Sequence, residues 1–245
     1  MNFKNRNRNY EKLWIIYDYL MQNVRYDIWA NYIFYLLKDE LPSNPKLLEL
    51  GAGNCKLANL LKDFFPNIIA SDLSKEMLKS DQAGILPKIC CDMCSLPIKS
   101  KFDLIYSTFD SVNYLTSKKK LLSLFREIYR LMDINSIFTF DASLENNSLK
   151  HIQEKWRTGT YLGMEYQHKS EYNNKSRIHK NIFRMKSSDN KLYFETHKQK
   201  IYPFETYFEL LEKSDLYAAA CFESFTYKNA KPDSDRIQFV VKRII

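Results

Sequence analysis

Apolar positions change period along this chain, and each change marks a different element. Over 10–41 they recur at helical spacing, with Leu13, Ile16, Tyr17, Leu20 and Val24 on one face. A second helix is predicted from Asp27 to Leu41 and ends at Pro42-Ser43-Asn44-Pro45, a strong breaker. From residue 46 onward, short apolar runs alternate with helical segments. Runs at 46–50, 67–71, 88–91, 102–107 and 136–141 read as strands, and 56–65, 75 to about 82 and 118–132 read as helices. That alternation predicts a doubly wound α/β sheet with ligands at the carboxyl ends of its strands.

The rhythm changes after Asp141. A helix is predicted at 147–157, then three long strand-like runs at about 160–171, 177–186 and 192–202. Asn173-Asn174 and Ser188-Asp189-Asn190 supply the turns of an antiparallel meander. A helix at 203–214 and strands at 218–226 and 236–242 complete the chain. The expected organisation over 1–245 is a single domain. It has N-terminal helices over about 10–41, a core over about 46–145 and 203–245, and a β insertion over about 158–202.

Composition narrows the function classes. The chain has 245 residues, 45% of them hydrophobic and 15% aromatic, enough for one large core. No apolar run reaches the length of a membrane span, and Met1–Arg8 has no apolar stretch behind its basic residues, so neither a membrane anchor nor a signal peptide is expected. Five cysteines, an odd number, read as reduced thiols in a cytoplasmic protein. Cys91 and Cys94 form a lone C-x-x-C without a second pair, so no metal site is expected. The formal net charge is +8, and 150–200 holds twelve Lys/Arg against five Asp/Glu. That surplus permits a nucleic-acid partner without demanding one, and a solvated outer face is the simpler reading.

The chemistry concentrates after the first strand, in Leu47-Leu48-Glu49-Leu50-Gly51-Ala52-Gly53-Asn54-Cys55-Lys56. A strand that ends in Gly-x-Gly and opens into a helix is a nucleotide site, since Gly51 and Gly53 lack a Cβ that would bar positive φ or a close ligand. A dinucleotide site would want a small residue where Lys56 stands. Glu49 would repel a pyrophosphate and suits a ligand with an ammonium group.

These residues resemble motif I of the class I S-adenosylmethionine-dependent methyltransferases, E/D-x-G-x-G-x-G, with Cys55 in place of the last glycine. The resemblance implies a Rossmann-like seven-stranded sheet, S-adenosyl-L-methionine as cofactor and S-adenosyl-L-homocysteine as product. It also implies roles for residues at later strand ends. Asp72, followed by Leu73, would hold the ribose hydroxyls, unless it only caps the next helix. Asp92 and Met93 would contact the adenine, unless they form a plain turn. Thr108-Phe109-Asp110-Ser111-Val112-Asn113-Tyr114-Leu115 resembles the corresponding loop of small-molecule methyltransferases. Thr108 would flank the cofactor, while Phe109, Asp110, Asn113 and Tyr114 are acceptor-side candidates. Asn113 and Tyr114 are equally suited to backbone contacts.

The run Tyr17-Asp18-Tyr19-Leu20-Met21-Gln22-Asn23-Val24-Arg25-Tyr26-Asp27-Ile28-Trp29 is similar to the N-terminal segment of bacterial YqeM-like methyltransferases. It implies Tyr17 and Trp29 beside the cofactor, with ordinary helix packing as the alternative. Near the end of the meander, Glu195, His197, Gln199 and Ile201 alternate with Lys198 and Lys200, so the first set faces inward. A similar stretch occurs in the same group. His197 is the foremost general-base candidate and Gln199 an acceptor contact, with a backbone-bonded histidine as the competing role. His151, His168 and His179 have no comparable setting in the sequence.

The expected activity is transfer of a methyl group to a nitrogen or oxygen of a small molecule by a monomer or homodimer. RNA or protein methylation, or cofactor binding without catalysis, are the alternatives. Replacing Asp72 by Ala is expected to weaken cofactor binding with little loss of stability.

Overall fold

The computed structural model describes residues 9–153 and 156–244. The run 1–8 weighed above as a leader lies outside them. Two helices come first, α1 (Trp14–Leu20) and α2 (Tyr26–Leu37). Then follow β1 (Lys46–Leu50), α3 (Lys56–Leu61), β2 (Asn67–Asp72), α4 (Lys75–Lys79), β3 (Lys88–Cys90), β4 (Phe102–Ser107), α5 (Lys118–Leu131) and β5 (Met132–Ser143). After α6 (Glu145–His151) come β6 (Arg157–Tyr161), β7 (Met164–Asn173), β8 (Ile178–Lys186) and β9 (Leu192–Lys200). The chain closes with α7 (Phe204–Glu212), β10 (Leu216–Glu223) and β11 (Arg236–Arg243).

Seven strands form one sheet in the order β10-β11-β5-β4-β1-β2-β3, and β6 to β9 form a second, antiparallel sheet. β1 pairs in parallel with β2 on one side and β4 on the other, while β11 runs antiparallel to its neighbours β5 and β10. Strand order therefore reverses at β1, and the glycine turn leaves the sheet at that switch point, where open α/β sheets bind ligands. This is the doubly wound sheet expected from the alternating pattern, with the seven strands that the methyltransferase resemblance implies.

Alternation within the strands sorts the core onto two faces. Leu48, Leu50, Ile105, Phe138 and Phe140 pack against α5 and α7, while Leu47, Leu104, Tyr106 and Ile137 pack against α2 and α3. α5 shows why its segment is helical. Ser117 caps its start by accepting from the Lys120 amide at 3.3 Å, and Leu121, Leu124, Phe125, Ile128 and Leu131 line its buried side. Each such side chain is worth about 1.5–3 kcal/mol on burial, so packing outweighs intrinsic propensity.

The second sheet departs from expectation. The run read as a single strand over 160–171 is a hairpin, with β6 and β7 joined at Leu162 and Gly163, both at positive φ. A two-residue loop of that conformation matches strand twist. The leucine in it masked the turn. The helix read over 147–157 is α6, displaced toward its start and ended by residue 151. Among the described residues no helix is long and apolar enough to cross a membrane.

Candidate active site

The turn after β1 holds Gly51 at φ 70° and Gly53 at φ 55°. A Cβ on Gly51 would lie 2.8 Å from Ser111 Oγ and 3.5 Å from the Met93 methyl, so the loops after β1, β3 and β4 converge there. Gly51→Ala is expected to cost about 1–3 kcal/mol through the positive φ and that clash, read as a lower Tm; a Tm within 1 °C of the native chain would refute the close approach. Cys55, in place of the family's third glycine, keeps a left-handed φ of 60° and is fully buried. Burial pushes its thiol pKa up to about 12, so it is a packing group and no nucleophile.

Asp72 ends β2. Its Oδ2 accepts from the Gly53 amide and its Oδ1 from the Ser74 amide, both at 2.7 Å. Burial raises its pKa, and those amides pull the other way. The helix cap itself belongs to Ser74, whose Oγ accepts from Met77 at 3.2 Å. Leu73 is exposed, and so is Asp92, which accepts from the Cys94 amide at 2.8 Å, whereas Met93 is half-buried. Glu49 is 2% exposed and its Oε2 has no partner. Burial, then the nearby Asp72 charge, raises its pKa well above the carboxylate range.

The N-terminal helices are fastened over this turn. Asp18 of α1 accepts from the Asn54 side chain and pairs with Lys56 at 3.0 Å, and the Lys56 ammonium lies 5.5 Å from the Tyr26 ring centre. Lys56, which disfavoured a dinucleotide, thus clasps α1 to the turn. Trp29 of α2 meets the Phe109 ring at a centroid distance of 4.6 Å.

After β4 the chain is strained. Phe109 and Asp110 are consecutive non-glycine residues at φ 57° and 49°, a conformation that costs about 1–3 kcal/mol per residue and persists only under restraint. The restraints are visible. The Asp110 amide donates to Asp141 at 2.9 Å, and its carboxylate accepts from Ser143 Oγ at 2.8 Å. Arg236 pairs with Asp141 and lies 3.6 Å from Asp110. Asp141 is fully buried with Oδ1 unpartnered, and its pKa is pushed up to about 6, chiefly by burial. Asn113 is also fully buried. Its amide donates to Lys200 O at 2.9 Å and Ser143 O at 3.2 Å, and its Oδ1 accepts from Ser143 N at 3.0 Å. Its polar atoms are thus engaged in tying the loop to β5 and β9. Thr108, the first residue of the same loop, is buried.

Between these strand ends and the inner face of the second sheet lies a cavity of about 630 Å³. Tyr17, Trp29, Phe109, Asp110, Tyr114, His197 and Gln199 all line it. The other three histidines line it as well, contrary to the expectation that they lacked a setting. His168-x-Ser170, His179-x-Asn181 and His197-x-Gln199 repeat one spacing on β7, β8 and β9, and pairing sets Ser170 and His197 on either side of Asn181. That repeat was a signal present in the sequence. Burial lowers the pKa of His151, His168 and His179, and the Arg157 charge adds to this at His151 and His168, so these imidazoles are neutral at pH 7. His179 Nδ1 is buried without a partner. Tyr10 and Arg236, also on the lining, were not singled out by the sequence.

These residues fit S-adenosylmethionine. A carboxylate at the end of β2 suits a ribose diol, the orphaned Glu49 oxygen suits a cationic neighbour, and aromatic faces suit a sulfonium. Among the described residues no cluster of three or more His, Cys, Asp or Glu could hold a metal ion.

Comparison with known proteins agrees. Residues 48–140 match the family model of a methyltransferase domain. YqeM of Bacillus subtilis (strain 168), a protein named as a methyltransferase, is 25% identical over 93% of this chain and 94% of its own. A S-adenosylmethionine-dependent methyltransferase from Clostridium acetobutylicum ATCC 824 superposes with a TM-score of 0.80 at 23% identity, over 96% of this chain and 99% of that one. The sugar N-methyltransferase KedS8 from Streptoalloteichus sp ATCC 53650 does so at 0.75 with 15% identity, over 93% and 92%. Residues 48–140 thus carry a methyltransferase domain, and the chain has the fold of a S-adenosylmethionine-dependent methyltransferase.

Proposed function

We propose that the chain methylates a nitrogen or oxygen of a small polar molecule bound in the cavity between the seven-stranded sheet and the second sheet. One observation carries this reading: a cavity of about 630 Å³, the size of a small-ligand site, adjoins the converging strand-end loops and is walled by hydrogen-bonding side chains, among them four histidines, Asp110 and Arg236. A macromolecular acceptor would favour a groove open along its length. Asp72 would hold the ribose, Asp92, Leu73 and Met93 the adenine end, and Gly51, Ala52, Gly53, Glu49 and Thr108 the remainder of the cofactor. Tyr17 and Trp29 would border the sulfonium. When bound, S-adenosylmethionine supplies an electrophilic methyl whose leaving group is a neutral thioether. The protein's part is alignment, exclusion of water and removal of the acceptor's proton. Phe109, Asp110 and Gln199 would orient the acceptor, Asn113 would hold the loop that presents them, and Tyr114 and His197 would take the proton.

The test supplies purified protein with methyl-labelled S-adenosylmethionine and, separately, the small-molecule, RNA and protein fractions of a cell extract. Label is expected in the small-molecule fraction, with turnover lowered about 100-fold in His197→Ala. Transfer to RNA or protein alone refutes the reading, and equal losses of Tm and activity in His197→Ala refute the proton role.

A further inference from the structure

We propose that Glu195 is a positioning residue that couples docking of the N-terminal segment to the arming of His197 as a proton acceptor. This rests on reading the cavity as the acceptor site. Glu195 lies on the inner face of β9 and is 5% exposed. Its Oε1 accepts from the Lys12 and Leu13 amides at 2.6 and 2.9 Å, and its Oε2 from the Tyr10 amide at 2.8 Å and His197 Nε2 at 2.9 Å. Four donors fill an ionised carboxylate. Three belong to the backbone just before α1, 182 to 185 positions away in sequence, and one belongs to the base.

The carboxylate decides the histidine's hydrogen. An ionised carboxylate only accepts, so Nε2 carries the proton and Nδ1 presents its lone pair. Nδ1 faces Tyr114 Oη at 3.4 Å, and Tyr114 Oη is 2.8 Å from Tyr10 Oη. A catalytic contact of that length commonly tightens once substrate is in place. Tyr10 therefore serves the assembly three times. Its amide holds Glu195, its hydroxyl holds Tyr114, and its ring stands edge-on to His197 at a centroid distance of 4.5 Å. Burial opposes the charge on Glu195. The His197 bond and the Lys12 and Leu13 amides outweigh it, holding the carboxyl below its ordinary pKa. Burial raises the pKa of Tyr10 and Tyr114, which keeps both as phenols.

The proton path balances. As the acceptor atom gains a methyl, its N–H or O–H proton passes to Tyr114 Oη. The Tyr114 proton passes to His197 Nδ1, and the imidazolium formed is paired with Glu195. Undocking residues 10–13 removes three of the four donors on Glu195 and the Tyr10 hydroxyl on Tyr114. The base is then complete only while Tyr10, Leu13 and Tyr17 roof the cavity.

Nitrogen NMR of the full chain labelled at histidine tests this without any acceptor. There are four histidines, and His197→Gln identifies the signals of His197. The native protein at neutral pH is expected to show His197 with hydrogen on Nε2 and a bare Nδ1; hydrogen on Nδ1 overturns the proposal, and needs no variant to be seen. Glu195→Gln presents an amide where the carboxylate stood. It is expected to abolish that signature and to speed hydrogen exchange at the Tyr10, Lys12 and Leu13 amides at least tenfold. Exchange in β1 and β4 should be unchanged. A variant that keeps either the signature or the protection overturns the coupling. Neither readout depends on which acceptor is methylated, so the acceptor-site reading can fail alone.

Discussion

Arg236→Met is expected to lower stability by about 3–5 kcal/mol at neutral pH, the cost of leaving a buried charge without its partner. Asp141 is the charge in question. It is fully buried, one of its oxygens already lacks a partner, and Arg236 serves it and Asp110 together. Methionine keeps most of the side-chain volume, so the loss reads the charge more than the packing. pH gives the independent signature. Burial raises Asp141 above its unfolded value even with Arg236 present, to about 6. A raised carboxyl binds its proton more tightly in the folded state, so this group's contribution to stability falls as pH rises through the folded pKa. Without Arg236 that pKa rises further, and the variant takes up its proton at a higher pH than the native chain does. The gap in stability between the two should therefore narrow as pH falls toward 6. Denaturant titrations at pH 8 and pH 6 check this, and a gap that is constant or grows in acid contradicts it.

The sheet was legible because its evidence is local. Five apolar runs, with a helix in every gap but the one between β3 and β4, define a parallel sheet, and the Gly51–Gly53 turn marks the switch point within it. Position along the chain also put Asp72, Met93 and Phe109 at neighbouring strand ends, and they are there. The hairpin of β6 and β7 was hidden because a leucine occupies a left-handed turn position, where composition signals glycine or asparagine. The cavity wall was hidden for another reason. His168, His179 and His197 lie on three different strands, and only antiparallel register brings them to one face. Alternation along β9 revealed the inward set containing Glu195, His197 and Gln199, yet not what they face. Tyr10 and Glu195 are 185 positions apart, so nothing local in either sequence context announces the bond between them. Asn113 illustrates the converse. It was legible as a candidate, and its partners at Ser143 and Lys200 show that the side chain is engaged by the protein itself.

Asp72→Ala is expected to weaken S-adenosylhomocysteine binding about 100-fold, and the structure revises what else it should do. If the ligand diol were the only partner of Asp72, its removal would leave the protein's stability nearly unchanged. Here the carboxylate already accepts from Gly53 and Ser74, and two part-buried amides would lose their acceptor. A loss of about 1–3 kcal/mol is then expected in the ligand-free variant. The two effects separate by measurement. Denaturant unfolding without ligand reads the amide bonds, and calorimetric titration under conditions where both proteins are fully folded reads the affinity. A charge-assisted hydrogen bond is worth about 1.5–3 kcal/mol, and two ribose hydroxyls on one carboxylate account for a 100-fold change with only partial retention elsewhere. The arrangement also explains why one side chain can do both. Gly53 and Ser74 orient the carboxylate and hold it at the mouth of the turn, and an ionised carboxylate has about four acceptor sites, of which these amides take two. Stability lost with affinity unchanged would mean that Asp72 only fastens the turn to the end of β2, and the ribose would have to be held from another strand end.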